Sequence, residues 1–310
     1  MVLSSRIRAF AIFCVFCLII SHLLIVSGSK VSQTANPERG PEVIFEMEDP
    51  AGDDYGPGTY TYPTHKAFAH PGLFDLLKFV VSYDIQNIYF DFTFKEIVNP
   101  WNAPEGFSHQ LVDLYIDNIP GEGLALPLRP GPNVAFSRRN AWDYRIKIIG
   151  WGGTRLYSSK DEKDSDGIRS GLRVHLLPDK KTIRAVVPIT LLGKPDRMWR
   201  YYVLVGSQDA FGNDDYRPVM EQADSWFFGG GRDSDADPNV IDLLAVAEGP
   251  RSQGEMLRSY NPKTGAFATI YPVGPGAMGG FPPLLLPAIL AALLIVGALL
   301  IVRIRRARQQ

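Results

Sequence analysis

Cysteine is almost absent from this 310-residue chain: Cys14 and Cys17 are the only two, and both lie in an apolar N-terminal stretch. The rest of the chain therefore cannot be held by disulfides, and its stability must come from a core, tight turns or bound ions. An Asn-x-Ser/Thr acceptor is also absent. The formal net charge of −1 gives no indication of a basic, nucleic-acid-binding surface, so we expect no nucleic-acid partner.

Sequence motifs of catalysis are missing as well. The chain has no His-Glu-x-x-His zinc motif, no Gly-x-Ser-x-Gly, no Walker loop and no dinucleotide fingerprint. The histidines beyond the N-terminal stretch have no metal-ligand spacing, and no His/Met pair suggests a haem. Paired glycosidase carboxylates cannot be recognised from spacing along a chain. We therefore expect a non-catalytic protein, with a hydrolase or a haem protein as weaker alternatives.

The N-terminus has the plan of a secretory signal peptide. Residues 9–26 are apolar except for Ser21 and His22, two arginines precede them, and three small residues follow. This pattern predicts a signal peptide over residues 1–29. The apolar part is long enough that an uncleaved membrane anchor is the alternative.

The C-terminus has the plan of a transmembrane helix. Residues 284–302 are apolar throughout and would form a helix about 28 Å long, which is enough to cross a bilayer. Four arginines lie in the tail 303–310, and positive charge marks the cytoplasmic side. A Gly/Pro-rich linker, 274–283, precedes the helix. We therefore expect a single-pass protein of the cell membrane whose main domain lies outside the cytoplasm.

The region between these ends has the pattern of β-structure. Residues 88–95 alternate apolar and polar side chains, as in a half-buried strand, and 201–209 is almost continuously apolar, as in a central strand. No long amphipathic helix is evident between 42 and 245. After a flexible lead-in at 30–41, these patterns predict an all-β, jelly-roll-like antiparallel sandwich over 42–273. Further predicted elements are strands at 109–117, 144–151 and 266–273, a hairpin of 171–177 with 182–189, and a helical turn at 254–260.

Two acidic loops are candidates for calcium sites, because carboxylates at short spacing and turn carbonyls supply the oxygen ligands that Ca²⁺ prefers. The first is "DPAGDDYGPGTYTYPT", residues 49–64, with Asp49, Asp53 and Asp54. The second is "GGGRDSDADPNVID", with Asp233, Asp235 and Asp237. Each loop could equally be a solvated turn capped by Asp side chains.

Tryptophan is the other candidate ligand-binding residue, because a sugar ring stacks on an exposed indole. Of the five tryptophans, Trp101 lies in the polar loop "NPWNAPEGF", where Asn99 and Asn102 offer amides to sugar hydroxyls. The alternative is that the tryptophans are core residues of the sandwich. Exposed aromatics clustered together would favour a sugar ligand, whereas a flat apolar patch would favour a protein partner.

Five motifs in order resemble the C-terminal domain of glucodextranase, a module also found in some amylopullulanases. They are "DPAGDDYGPGTYTYPT", "FDLLKF", "NPWNAPEGFSHQLVDLYID", "VLVGSQDAFG" with "RPV", and "PNVIDLL", within about residues 43–272. The resemblance implies a β-sandwich similar to DOMON-type and family-9 carbohydrate-binding folds. Such modules are usually joined to α-glucan-acting enzymes and are described as surface- or carbohydrate-binding. It also implies that residues 49–64 form an ion-pinned entry loop, with Asp75 and Asp113 completing the ligand shell.

Together these features predict a cell-surface, membrane-anchored carbohydrate-binding module that takes a polysaccharide or cell-surface glycan, with α-glucans as the first candidates. The alternative is a structural or accessory envelope subunit that docks another surface protein through the same sandwich.

Overall fold

The computed structural model describes residues 40–232 and 236–275. The predicted signal peptide at 1–29, the transmembrane helix at 284–302 and the basic tail at 303–310 lie outside the described residues. Among the residues that are described, no helix combines the length and apolar character needed to cross a bilayer.

Two five-stranded antiparallel sheets form the body of the molecule. The first contains β1 (Glu42–Glu48), β2 (Leu76–Tyr83), β3 (Asn87–Phe94), β9 (Thr182–Pro188) and β8 (Arg173–Leu176), adjacent in that order. The second contains β11 (Asp242–Leu243), β10 (Arg200–Ser207), β4 (Gln110–Asp117), β6 (Tyr144–Ile149) and β7 (Arg155–Ser158). A small parallel pair joins β5 (Val134–Phe136) to β12 (Ala268–Ile270). The helices are short: α-helical Ile189–Leu192 and Gln253–Leu257, and 3₁₀ turns Lys66–Phe68, Arg138–Asn140, Asp164–Asp166 and Asn213–Asp215.

The two sheets pack face to face over an aromatic core. In β3 the apolar side chains of the alternating pattern, Ile88, Phe90, Phe92 and Phe94, are all fully buried. Across the interface, Tyr201 of the second sheet stacks on Phe45 at 5.4 Å between ring centroids and meets Phe79 edge-on at 5.5 Å. These contacts confirm the predicted all-β sandwich.

The central strand of the second sheet is buried on both faces. β10 pairs with β4 on one side and with β11 on the other. Its side chains Tyr201 and Val203 face the first sheet, whereas Tyr202 and Leu204 belong to a second apolar cluster shared with β5 and the helix Gln253–Leu257. The near-continuous apolar run predicted to be a central strand is explained by this double burial.

The strand registers give the sandwich two distinct ends. At one end, which we call the Asp49 end, β1 finishes, β2 and β4 begin, and the loops 49–75 and 95–109 meet the segments 208–232 and 236–241. At the other, the Glu42 end, β1 begins and the last described residues leave after Val273, which is bridged to Tyr201. The candidate functional residues lie at the Asp49 end.

Candidate binding surface and cation site

Three aspartates meet at the Asp49 end between the two sheets. Asp49 follows β1, Asp53 lies in the loop after it, and Asp242 opens β11 in the opposite sheet. One carboxylate oxygen from each lies within 4.8 Å of the other two. Asp49 and Asp242 are buried, and Asp53 is half-buried, so the cluster is largely withdrawn from water.

The hydrogen bonds of this cluster leave one oxygen of each carboxylate unused. Asp49 Oδ1 accepts from the backbone N–H of Ala245 at 2.9 Å, and Asp242 Oδ2 accepts from that of Leu76 at 2.7 Å. Asp49 Oδ2, Asp53 Oδ1 and Asp242 Oδ1 are buried and have no hydrogen-bond partner among the described residues. Three carboxylates that meet and each carry a buried, unpartnered oxygen need a positive charge or protons to compensate their desolvation.

This arrangement raises the pKa values of all three carboxyl groups. Burial, with the charges of Asp53 and Asp75, raises the pKa of Asp49 well above its ordinary value. Burial, with the charges of Asp49 and Asp53, does the same to the pKa of Asp242. Burial and then the charge of Asp75 raise the pKa of Asp53 to about 6. Without a cation, the cluster therefore holds protons that ordinary aspartates release.

The same geometry fits a divalent cation with oxygen ligands. Ca²⁺ binds oxygens at about 2.3–2.6 Å, so two ligands on opposite sides of the ion are about 4.8 Å apart. That is the limit within which the oxygens of Asp49, Asp53 and Asp242 lie. A cation bound there would supply the positive charge that compensates the three unpartnered carboxylate oxygens.

Two other predicted ligands lie beside this cluster and have partners of their own. The Tyr62 hydroxyl donates to Asp54 Oδ2. Asp75 accepts the backbone N–H of Gly52 on both oxygens, at 3.0 and 2.9 Å, and lies 3.3 Å from Lys95 Nζ. Asp54 and Asp75 therefore shape the loop and add to its negative charge, while the unpartnered oxygens belong to the other three aspartates.

The structure corrects the expectation for Asp113. Its carboxylate faces away from the inter-sheet core and is held by Arg145 through Nε at 2.7 Å and Nη2 at 2.6 Å. Arg145 in turn reaches Asp214 at 2.6 Å, and the Tyr216 hydroxyl donates to Asp113 at 2.9 Å. Asp113 is therefore part of a separate, fully buried ion network on the outer face of the second sheet.

The second acidic loop is only partly within the described residues. Asp233 and Asp235 lie outside them. Asp237 is buried, and its Oδ2 accepts the backbone N–H of Arg232 at 2.9 Å. The calcium expectation for this loop stays a prediction.

Two tryptophans form an exposed aromatic surface at the Asp49 end. Trp101 and Trp226 are 38% and 42% exposed, whereas Trp142 and Trp199 are core residues. The ring centroids of Trp101 and Trp226 are 6.5 Å apart, with their planes inclined by 36°. His65 stacks on the Trp226 ring at 4.3 Å. We call Trp101, Trp226 and His65 the aromatic surface.

Buried rings support the aromatic surface from below. Phe68 meets Trp101 at 6.4 Å and Trp226 at 6.3 Å, edge-on in both cases. His109 lies 4.6 Å from Trp101, and burial with the nearby Arg217 charge lowers its pKa to about 3. Its ring is therefore neutral at physiological pH. Arg217 fixes the Trp226 loop by donating to the Trp226 carbonyl at 2.9 Å.

The two asparagines beside Trp101 have different environments. Asn99 donates to the Ala103 carbonyl at 2.9 Å, and its Oδ1 accepts the Ala103 N–H at 2.8 Å and the Ser108 hydroxyl at 2.5 Å. The Asn99 side chain therefore builds the loop rather than pointing free into solvent. Asn102 is exposed and has φ +56°, a left-handed conformation that asparagine tolerates.

Sequence reasoning missed Asp242 as a site residue and included Trp226 only as one of five candidate tryptophans. Asp242 is enclosed in the apolar run "VIDLL", and a lone carboxylate in such a run is the signal that could have identified it. Trp226, in "ADSWFFGG", had no distinguishing neighbour pattern, and only the tertiary structure brings it beside Trp101.

The match to one family model agrees with the motif resemblance. None of the curated proteins matches the chain. Among solved structures, a family 9 carbohydrate-binding module from Caldicellulosiruptor kristjanssonii, in complex with cellotriose, covers 79% of this chain and 88% of its own, at 11% identity and a TM-score of 0.28. The sequence model of one family, described as the C-terminal, SLH-like binding module of glucodextranase, matches residues 44–272. Because this match includes nearly all of both sheets, the chain belongs to the family of C-terminal, SLH-like binding modules of glucodextranase.

Proposed function

We propose that this protein is a non-catalytic module that binds carbohydrate at the aromatic surface. The observation that carries the proposal is the pairing of two exposed indoles, Trp101 and Trp226, on one end of a rigid sandwich. Indoles that serve only as core are buried, as Trp142 is. An exposed pair at 6.5 Å gives a sugar ring two inclined apolar walls on which to stack. Membership of a family of binding modules supports the same function.

The ligand class we propose is a glycan chain, with α-glucans first, because the family is named for modules of an enzyme that acts on glucans. Asn102 is the exposed amide nearest Trp101 in sequence, and it is the residue we assign to a sugar hydroxyl. A single sugar site of this kind binds in roughly the micromolar to millimolar range. Many copies on one membrane would raise the overall affinity through multivalency.

We further propose that Asp49, Asp53 and Asp242 hold a calcium ion whose role is structural. The loop 49–75 begins with two of these aspartates and also carries His65 and Phe68 of the aromatic surface and its floor. An ion that fixes the start of this loop against β11 would therefore fix the surface as well. Its binding would stabilise the folded state by mass action.

The cellular setting we propose rests on the sequence. The apolar segment 284–302 with its arginine-rich tail would hold the module at the outer face of the cell membrane. Protease added to intact cells should then remove the module and spare the tail. A module that is protected in intact cells would contradict this topology.

Docking of another protein is the second candidate function. The exposure of the Phe211 side chain is the observation that favours it. This side chain is 100% exposed on a loop that Asp214 and Arg145 pin to the second sheet. Phenylalanine is enriched at protein–protein contacts relative to the rest of a protein surface. In this reading the partner would be another envelope protein.

Titration of the full-length protein in detergent with α-glucan oligosaccharides, a β-linked glucan and unrelated glycans would test the proposal. We expect Trp101→Ala with Trp226→Ala to abolish binding while the unfolding temperature stays close to that of the wild type. Trp151→Ala is the matched control, because Trp151 is 41% exposed but makes no ring contact with the pair among the described residues. If the wild type binds no glycan at millimolar concentration while Phe211→Ala abolishes capture of an envelope protein, docking replaces sugar binding.

A further inference from the structure

Both described chain ends lie at the Glu42 end of the sandwich, opposite the aromatic surface. β1 begins at Glu42, which pairs with Tyr83 at the start of the β2–β3 turn. The last described residues leave after Val273, which pairs with Tyr201 near the beginning of β10. The aromatic surface and the aspartate cluster are built from loops at the other end of the same strands.

The Glu42 end carries two exposed apolar side chains at turn tips. Ile85 in the β2–β3 turn is 73% exposed, and Met198 in the turn before β10 is 65% exposed. Gly, Asn, Asp, Ser and Pro are the residues that such turns favour. Neither Ile nor Met contributes to turn formation, so their presence at the tips is unexplained by local backbone chemistry.

These two tips are rigid, so their exposure is a fixed feature of the fold. Asp84 precedes the Ile85 tip, and its Oδ1 accepts the N–H groups of Gln86 and Asn87, which follow the tip, at 2.7 and 2.8 Å. Arg200 Nη1 donates to the carbonyls of Arg197, Met198 and Trp199 at 3.0, 2.9 and 2.8 Å. Each apolar side chain is therefore presented outward by a hydrogen-bonded turn.

Contacts between the two turns hold them at one end of the molecule. The backbone N–H of Ile189 donates to the Gln86 carbonyl at 2.8 Å, which ties the β2–β3 turn to the helix Ile189–Leu192. Lys194, five residues after Ile189, places its Nζ 4.8 Å from the centroid of the Tyr83 ring. The exposed Lys194 and Arg197 lie, with the exposed Asp196 between them, in the segment that leads from this helix to Met198.

The length of chain between the sandwich and the predicted membrane segment limits their separation. Eight residues, 276–283, lie between the last described residue and residue 284. Eight residues reach at most about 30 Å when fully extended and about 16 Å as a flexible Gly-rich chain. The Glu42 end is therefore within a short distance of any bilayer that contains residues 284–302.

We infer that the Glu42 end is a lipid-facing surface, on which Ile85 and Met198 enter the headgroup boundary and Lys194 and Arg197 meet lipid phosphates. This inference rests on the proposed membrane anchoring. Apolar side chains next to exposed cations suit an interface where apolar chains lie beneath charged headgroups. In this orientation the aromatic surface points away from the membrane, toward glycans outside the cell.

Fluorescent labelling at single cysteines in the full-length chain tests this arrangement. The background is Cys14→Ser with Cys17→Ser, which leaves no other cysteine. An environment-sensitive fluorophore is attached at Ile85→Cys, Met198→Cys or the control Phe211→Cys, whose native side chain is fully exposed at the Asp49 end. Each variant is reconstituted into phosphatidylcholine vesicles, with and without a headgroup nitroxide quencher.

We expect labels at positions 85 and 198 to show blue-shifted emission and quenching by the nitroxide lipid, and the label at 211 to show neither. Labels at 85 and 198 that behave like the label at 211, in protein that still floats with the vesicles, would overturn the inference and leave anchoring intact. A blue shift without lipid quenching would place protein, not lipid, on this end and would also overturn it. Protein that fails to float with vesicles would refute the anchoring itself.

Discussion

The carboxylate of Asp242 accepts the backbone N–H of Leu76 at 2.7 Å and so links the second sheet to the first. Leu76 begins β2, and Asp242 begins β11, so the bond closes the Asp49 end of the sandwich. The other oxygen of Asp242 has no hydrogen-bond partner among the described residues, and the Asp242 carboxylate lies within 4.8 Å of those of Asp49 and Asp53. One side chain therefore serves both the sheet contact and the proposed cation site.

Asp242→Asn should separate these two roles. The amide oxygen can still accept from Leu76, and the amide is neutral without having to take up a proton, so the chelator-treated variant should melt no lower than the chelator-treated wild type. The increase in melting temperature on adding calcium should be lost, because the ion has one charged ligand fewer. The measurement is calorimetry with chelator and with calcium.

The matched control for this variant is Asp54→Asn, because Asp54 is already engaged by Tyr62. It should retain the calcium response of the wild type. A wild-type melting curve that is identical with chelator and with calcium would show that the cluster holds protons rather than an ion.

The stability of the cation-free protein should fall as the pH rises through the range in which Asp53 titrates. Its pKa is raised from 3.8 to about 6 in the folded state, so the unfolded chain releases this proton first. The favourable contribution is therefore complete below 3.8 and is lost as the pH approaches about 6. Denaturant unfolding in chelator across this range should show the fall, and Asp53→Asn should make it shallower.

Calcium should oppose this trend, because it stabilises the ionised carboxylates and competes with protons for them. If the unfolding free energy of Asp53→Asn falls with pH as steeply as that of the wild type, the pH dependence comes from groups other than Asp53.

Arg145→Met should destabilise the fold by about 3–5 kcal/mol, because it leaves Asp113 buried without its cation, whereas Asp214 keeps Lys147 at 2.9 Å. Arg145 and Asp113 are both fully buried, and two bonds at 2.7 and 2.6 Å join them. Arg184→Met is the matched control, since its pair with Asp91 has the same geometry but is partly exposed. The control should cost less than about 1 kcal/mol. If urea unfolding shows the same loss of unfolding free energy for both variants, burial is not what makes the Arg145 ion pair important.

The two asparagines beside Trp101 should differ in what their loss affects. Asn99→Ala removes three hydrogen bonds that build the loop, so it should lower stability by roughly 1–3 kcal/mol and weaken glycan binding together. Asn102→Gly preserves the left-handed backbone at φ +56°, so it should weaken binding alone. Paired titration and melting experiments check both. Binding that survives Asn102→Gly unchanged would remove Asn102 from the site.

Local sequence was sufficient for the strands whose side-chain environment repeats regularly. The alternation at 88–95 predicted β3, and the apolar run at 201–209 predicted the central strand β10. Strands β1 and β2, Glu42–Glu48 and Leu76–Tyr83, received no strand prediction. The alternation of β1 is confined to residues 45–48 of an edge strand, and β2 is mostly apolar on both faces, so neither gives a long period of two.

The sequence by itself determined the class of the fold, the absence of disulfides and the acidic character of loop 49–64, because these follow from composition and from patterns of nearby residues. Only the tertiary structure decided which carboxylates share a site and which have partners. Asp242 joins Asp49 from the opposite sheet, whereas Arg145 engages Asp113. Likewise, Trp226 becomes part of a surface only where its loop meets that of Trp101. The physical reason is that desolvation and pairing of charges depend on distances in space, which separation along the chain does not fix.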